Sequence, residues 1–186
     1  MLPPFDQDGL LPVGDYPVTL DELRASHLVT GQGAVSQPWD AAWRARLVDG
    51  LAVLVRQLWM VGIDQIYVDG SFVEDKAHPN DIDGYFECDL RYLATGQLER
   101  DLNSLDPHKI WTWLPSSRMP EPNSAKRQLP MWHRYRVELY PHYPGLPSGI
   151  RDQYGNMLPF PAAFRLTRGS YKPKGIVKIL KKALGP

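Results

Sequence analysis

The sequence predicts a single α+β domain. Three observations predict it. An apolar stripe at helical spacing runs through "DAAWRARLVDGLAVLVRQLWMVG", from Asp40 to Gly62. Two short β-rich runs follow, "IDQIYVDG" over 63–70 and "DIDGYFECDL" over 81–90. Beyond them, further runs of strand character are interleaved with helical and Pro-rich segments. At 186 residues the chain suits one domain with a proper core and is short for two.

The elements are justified in order. A Pro-rich lead covers about 1–18. Thr19 stands three residues before Glu22, the spacing of a capping box, and predicts a short helix over roughly 20–28. "GQGAVSQP" (31–38) reads as a loop. In the long helix Trp43, Leu47, Leu51, Leu54 and Leu58 form the core stripe, and Gly62 stands where a C-terminal glycine belongs. The runs over 63–70 and 81–90 are strands, the second with its alternation broken by Gly84. Residues 94–105 read as helix and "KIWTWL" (109–114) as strand. A polar Pro-rich loop runs from Pro115 to about Pro130, and "HRYRVELYPHY" (133–143) alternates as a strand does.

Hydrophobic content of 43% and charged content of 23% are ordinary for a soluble globular chain. No apolar run approaches a membrane span, and "MLPPFDQDGLLP" lacks the basic start of a signal peptide. Cys88 is the only cysteine, which excludes an internal disulfide and fits a cytoplasmic protein. The net charge is zero but unevenly spread. Residues 1–22 hold five acidic side chains and no basic one, whereas 153–186 hold seven basic ones and no acidic one. The basic end, about 165–186, suits phosphates of a nucleotide or nucleic acid, but a solvated, frayed tail is the plainer reading.

The chemistry concentrates in "DGSFVEDKAHPNDIDGYFE" (69–87). A strand runs into Gly70-Ser71, where a glycine turn lets a phosphate approach without a Cβ in the way. Asp81 and Asp83 stand at i and i+2, which on a strand puts both carboxylates on one face. Such a pair repels unless a cation sits between, and Mg²⁺ or Mn²⁺ with oxygen ligands suits it. A phosphate turn beside paired carboxylates is equipment for phosphoryl or nucleotidyl transfer.

The motif Gly70-Ser71, nine residues, then Asp81-Ile82-Asp83 resembles that of the nucleotidyltransferase superfamily of DNA polymerase β and the minimal bacterial nucleotidyltransferases. From "LPVGDYPVTLDEL" to "RVELYPHY" the chain also resembles a family of uncharacterised bacterial proteins with that core. The resemblance implies a polymerase β-like fold, a mixed β-sheet flanked by helices. It implies a third carboxylate from a later neighbouring strand, for which Glu138 in "RYRVELYPHY" is the candidate, with a salt bridge to Arg136 as the plainer role. Asp81, Asp83 and Glu138 would then be catalytic and metal-binding, and Gly70 and Ser71 would hold the β- and γ-phosphates. Lys76, Lys172 and Lys174 are the basic candidates for the leaving pyrophosphate. The expected function is Mg²⁺-dependent transfer of a nucleoside monophosphate from an NTP to a hydroxyl of RNA, protein or a small molecule. The alternative is a non-catalytic module of a toxin–antitoxin or phage-defence system, with a partner protein.

Other constellations carry less. "DQDG" (6–9) lacks the later ligands of a calcium loop, and the five histidines lack zinc spacing. His78 within the spacer reads as a surface loop residue, and Trp111, Trp113 and Trp132 as packing rather than a base-stacking platform.

Overall fold

The structure is a computed structural model that describes residues 2–121 and 124–182. In chain order its elements begin with β1 (Asp15–Thr19), α1 (Leu20–Ala25), α2 (His27–Thr30) and α3 (Ala41–Met60). Next come β2 (Ile66–Asp69), a 3-10 turn (Gly70–Val73), β3 (Ile82–Glu87), α4 (Leu90–Ala94) and α5 (Gln97–Leu105). The two-residue strands β4 (Met119–Pro120) and β5 (Arg127–Gln128) lead to α6 (Pro130–Tyr135) and β6 (Val137–His142). The chain closes through β7 (Pro147–Arg151), β8 (Met157–Pro159), α7 (Phe160–Ala163) and β9 (Ile176–Leu180).

Five strands form one mixed sheet in the order β1-β9-β2-β3-β6. β1 runs parallel to β9 and β3 parallel to β6, while β2 is antiparallel to both β9 and β3. Alternation along the strands separates two faces. Ile66, Val68, Ile82, Phe86, Val137, Leu139, Val177 and Ile179 turn into the main core, where the stripe of α3 meets them. The opposite face carries Tyr67, Tyr85, Tyr140 and Ile176, partly roofed by Phe160 and Phe164. The acidic residues stand on this second face.

The capping box forms as predicted: Thr19 Oγ1 accepts from Glu22 N, and Glu22 Oε2 accepts from Thr19 N. The segment it opens is broken at Ser26, whose hydroxyl donates to Leu23 O, so two short helices replace one over 20–28. α3 starts on Asp40, whose side chain accepts from Trp43 N, and stops before Gly62 at φ 84°. Gly84 is dictated by close approach, since a Cβ there would strike Tyr67 O and Leu139 Cδ2 on the neighbouring strands.

The helix expected near 94–105 is present as α5, with α4 ahead of it and left-handed Gly96 between them. Three expectations are corrected. "KIWTWL" joins no ladder: Lys109 is left-handed at φ 51°, and Asn103 clamps Trp111 by its N–H and its carbonyl, replacing a neighbouring strand. Its tryptophans nonetheless pack, Trp111 fully buried. The strand over 133–143 begins only at Val137, because Pro130 opens a helical turn that Arg136 ends at φ 56°. The basic end is no frayed tail over its described part, since β9 lies inside the sheet between β1 and β2. Residues 183–186 lie outside the described residues.

Candidate functional site

Strand register builds an acidic row. Asp69 ends β2 opposite Asp83 of β3, and Asp83 stands opposite Glu138 of β6. Asp69, Asp83 and Glu138 therefore lie abreast on three adjacent strands, and Asp81 stands two residues before Asp83 at the same end. The predicted carboxylates do meet. Register also explains why Glu138 was findable: alternation puts it on the face of Tyr140, away from buried Val137 and Leu139.

Each carboxylate has a different environment. Asp81 Oδ2 accepts from the indole Nε1 of fully buried Trp132 at 2.7 Å. Burial and neighbouring Glu138 raise its pKa, against the pull of that hydrogen bond and of Lys126 and Lys76. No hydrogen-bond donor among the described residues reaches the Asp83 carboxylate. Although a fraction of the residue stays solvent-accessible, burial pushes its pKa up to about 8, with Asp81 and Glu138 adding repulsion. Glu138 is buried; its Oε1 accepts from Leu129 N at 2.7 Å and its Oε2 from the Tyr140 hydroxyl. Its ion-pair partner is Arg118 at 3.6 Å, not Arg136, which lies over the Trp132 ring at 3.8 Å.

Asp69 escaped sequence reasoning, although it immediately precedes the glycine turn and shares a face with Tyr67. It is 1% exposed, and Lys174 Nζ lies 3.0 Å from its Oδ1 in an ion pair without hydrogen-bond alignment. Burial pushes the Asp69 carboxyl well above the usual range against the pull of Lys174. Burial would lower Lys174 in turn, but Asp69 and Glu74 outweigh it and raise it. The first shift favours a neutral carboxyl and the second presumes a charged one. We assign a charged pair at neutral pH, because the ammonium also contacts Glu74 Oε1 at 2.7 Å and Gly70 O at 3.0 Å. Lys174, 104 residues downstream of the turn, thus fastens the Gly70 carbonyl.

The turn is shaped by its contacts. Gly70 has φ 74°, and a Cβ there would lie 2.7 Å from Asp83 Oδ2. Ser71 is half-buried beside it. The spacer is held by Arg44, which is fully buried with its pKa lowered by desolvation to about 9 and so still charged at neutral pH. Its guanidinium donates to the carbonyls of Leu28, Phe72, Glu74 and Lys76. Lys76 itself is exposed, and Lys172 pairs with Asp8, so neither is drawn into the acidic row. His78 stays in the surface loop, stacked on Trp43 and bonded to Asp40.

The donors are hard carboxylate oxygens, which suit Mg²⁺ or Mn²⁺. Among the described residues, no three His, Cys, Asp or Glu side chains are arranged to hold an ion as they stand. In this row the oxygens of Glu138 are already engaged by Leu129 N, the Tyr140 hydroxyl and Arg118. Asp81 and Asp83 fit the cation better: each disfavours the charge of the other, which a cation would relieve, and Gly70 lies directly against Asp83.

Fold and site together define an α+β protein with a mixed sheet and a buried row of carboxylates beside a glycine turn. Residues 3–180 match the family described as a family of unknown function, DUF6932, and the chain belongs to it. No curated protein and no solved structure matches the chain. No helix among the described residues is long and apolar enough to cross a membrane.

Proposed function

We propose that the chain is a Mg²⁺- or Mn²⁺-dependent nucleotidyltransferase with a polymerase β-like core, transferring a nucleoside monophosphate from an NTP to a hydroxyl of RNA, protein or a small molecule. One observation carries the reading: Asp83 and Glu138 are register partners on parallel strands, with Asp81 and the Gly70 turn beside them.

Asp81 and Asp83 would hold the metal. When bound, it would supply neutralisation of the triphosphate and a lowered pKa for the attacking hydroxyl. The missing Cβ of Gly70 lets the turn lie against Asp83, and the Ser71 hydroxyl, without a hydrogen-bond partner among the described residues, would donate to a phosphate. Lys174 fixes the turn from behind. The acceptor oxygen attacks the α-phosphorus, the bond to the bridging oxygen of pyrophosphate breaks, and the hydroxyl proton passes to a carboxylate. Glu138, next to Asp83, is the candidate base or further ligand, and it would have to release Tyr140 or Arg118 to serve. Lys76, exposed on the spacer, is left as the candidate for the leaving pyrophosphate.

The same hydrogen bonds of Glu138 favour a second reading, a binding module of a toxin–antitoxin or defence pair that keeps the core without turnover. The deciding experiment incubates the protein with each α-labelled NTP, Mg²⁺ or Mn²⁺, and a lysate. Label in RNA, protein or a small molecule that disappears with Asp81→Asn plus Asp83→Asn supports the transferase. No label with any NTP or metal moves the assignment to the module.

A further inference from the structure

A second site-like feature lies between α3 and the end of α6. α3 and the end of α6 pack closely at Gly50, where a Cβ would strike Tyr135 O. Beside that contact opens a cleft of about 370 Å³, lined by Trp43, Arg46, Leu47 and Val53 from α3 and by Arg134 and Arg136 from α6 and its cap. Half-buried Trp43 and Val53 give the floor its apolar surface, and the rim is cationic. Asp49 also borders the cleft, but Arg24 takes up its carboxylate.

Among the described residues, none of Arg46, Arg134 and Arg136 has a carboxylate partner, although eight ion pairs form. In a chain of zero net charge, three unpaired guanidinium groups around one concavity form a local positive field. Guanidinium is the planar, forked donor that matches phosphate oxygens. The size of the cleft suits one nucleotide unit, with the ring on the apolar floor and phosphate at the rim.

The cleft touches the acidic row through two tryptophans. Arg136 stacks on Trp132, whose indole N–H holds Asp81. Trp43 lines the cleft and donates to Pro79 O at 2.6 Å, two residues before Asp81. These two contacts link the cleft to Asp81 and to the segment that leads into it.

We propose that this cleft binds a phosphate-bearing nucleotide unit through Arg46, Arg134 and Arg136, and that the unit belongs to a single-stranded nucleic acid serving as acceptor. The inference deepens the transferase reading and rests on it for the acceptor role, while the binding itself stands alone. Phosphate chemistry is shared with a free mononucleotide, so both sources are tested.

The test is fluorescence anisotropy of a short labelled single-stranded RNA with the full chain, at several salt concentrations, with AMP as competitor. Arg46→Glu with Arg134→Glu alters exposed positions only and should leave the far-ultraviolet circular dichroism intact. Binding to RNA should weaken at least about tenfold, and the salt slope should fall by about 0.7 for each phosphate no longer neutralised by an arginine. Asp81→Asn with Asp83→Asn should keep RNA binding. AMP competition at lower concentration than that of RNA nucleotides would assign the cleft to a free nucleotide and overturn the strand. No binding of either probe by wild type, or unchanged binding by the folded arginine variant, overturns the site. Wild type that binds RNA here yet transfers nothing would keep the cleft and remove the enzymatic reading.

Discussion

Asp83→Asn is the most informative single change at the acidic row, because its effect has a sign that depends on pH and on metal. The folded state holds the Asp83 carboxyl up at about 8, from an ordinary 3.8. A carboxyl raised on folding binds more protons in the native than in the unfolded state across that window. Wild-type stability therefore falls as pH rises from about 4 to about 8, and the penalty is complete above it. At about 1.4 kcal/mol per pH unit, the ceiling at pH 7 is about 4 kcal/mol. Partial solvent contact of the side chain lessens its desolvation, the main cause of the shift, and screens the repulsion from Asp81 and Glu138, which brings the expected effect to about 2 kcal/mol. Asp83→Asn removes the titrating group at nearly constant size and breaks no hydrogen bond within the described residues. Without divalent metal at pH 7.5 the variant should melt about 4–8 °C above wild type, and the two should coincide near pH 4. Millimolar Mn²⁺ should raise the wild-type midpoint and leave the variant unmoved. Scanning calorimetry across pH, with and without Mn²⁺, reads both effects. A variant less stable than wild type at every pH, or one that responds equally to Mn²⁺, would refute the like-charge reasoning.

Gly70→Ala should cost about 1–2 kcal/mol for its left-handed backbone and abolish NTP binding, because the added Cβ meets Asp83 Oδ2 at 2.7 Å; isothermal titration on the folded variant that still finds normal binding would put the phosphates elsewhere. Glu138→Gln should lower turnover by orders of magnitude with NTP–Mg²⁺ binding largely kept, and should also lose about 1–3 kcal/mol as the hydrogen bond to Tyr140 and the ion pair with Arg118 weaken; unchanged transfer on the same preparation removes Glu138 from the mechanism. Lys174→Met should destabilise by about 3–5 kcal/mol by stranding Asp69, with Asp69→Asn recovering part of it in a double-mutant cycle; strictly additive losses would show that the two do not act as a pair.

Sequence alone determined the elements whose signal is local. The capping box at Thr19, the stripe and terminal glycine of α3, and the spacing of Gly70-Ser71 and Asp81-Ile82-Asp83 are written in neighbouring residues. Alternation marked the run that holds Glu138 as a strand, and the resemblance named Glu138 as the third carboxylate. What failed was competition between similar local signals. "KIWTWL" has strand propensity but finds no edge, because Asn103 takes its hydrogen bonds. The start of "HRYRVELYPHY" alternates, yet Pro130 and left-handed Arg136 make it helix and cap. Only the tertiary structure decided that Asp69, Asp83 and Glu138 stand abreast, since register is a property of paired strands and not of any one of them. The same holds for the long-range supports of the site: Trp132 on Asp81, Lys174 on the glycine turn, and Arg44 on the spacer carbonyls. Burial makes such bonds decisive, because a polar group removed from water must find its partner wherever the chain brings one, at a separation that no local pattern records.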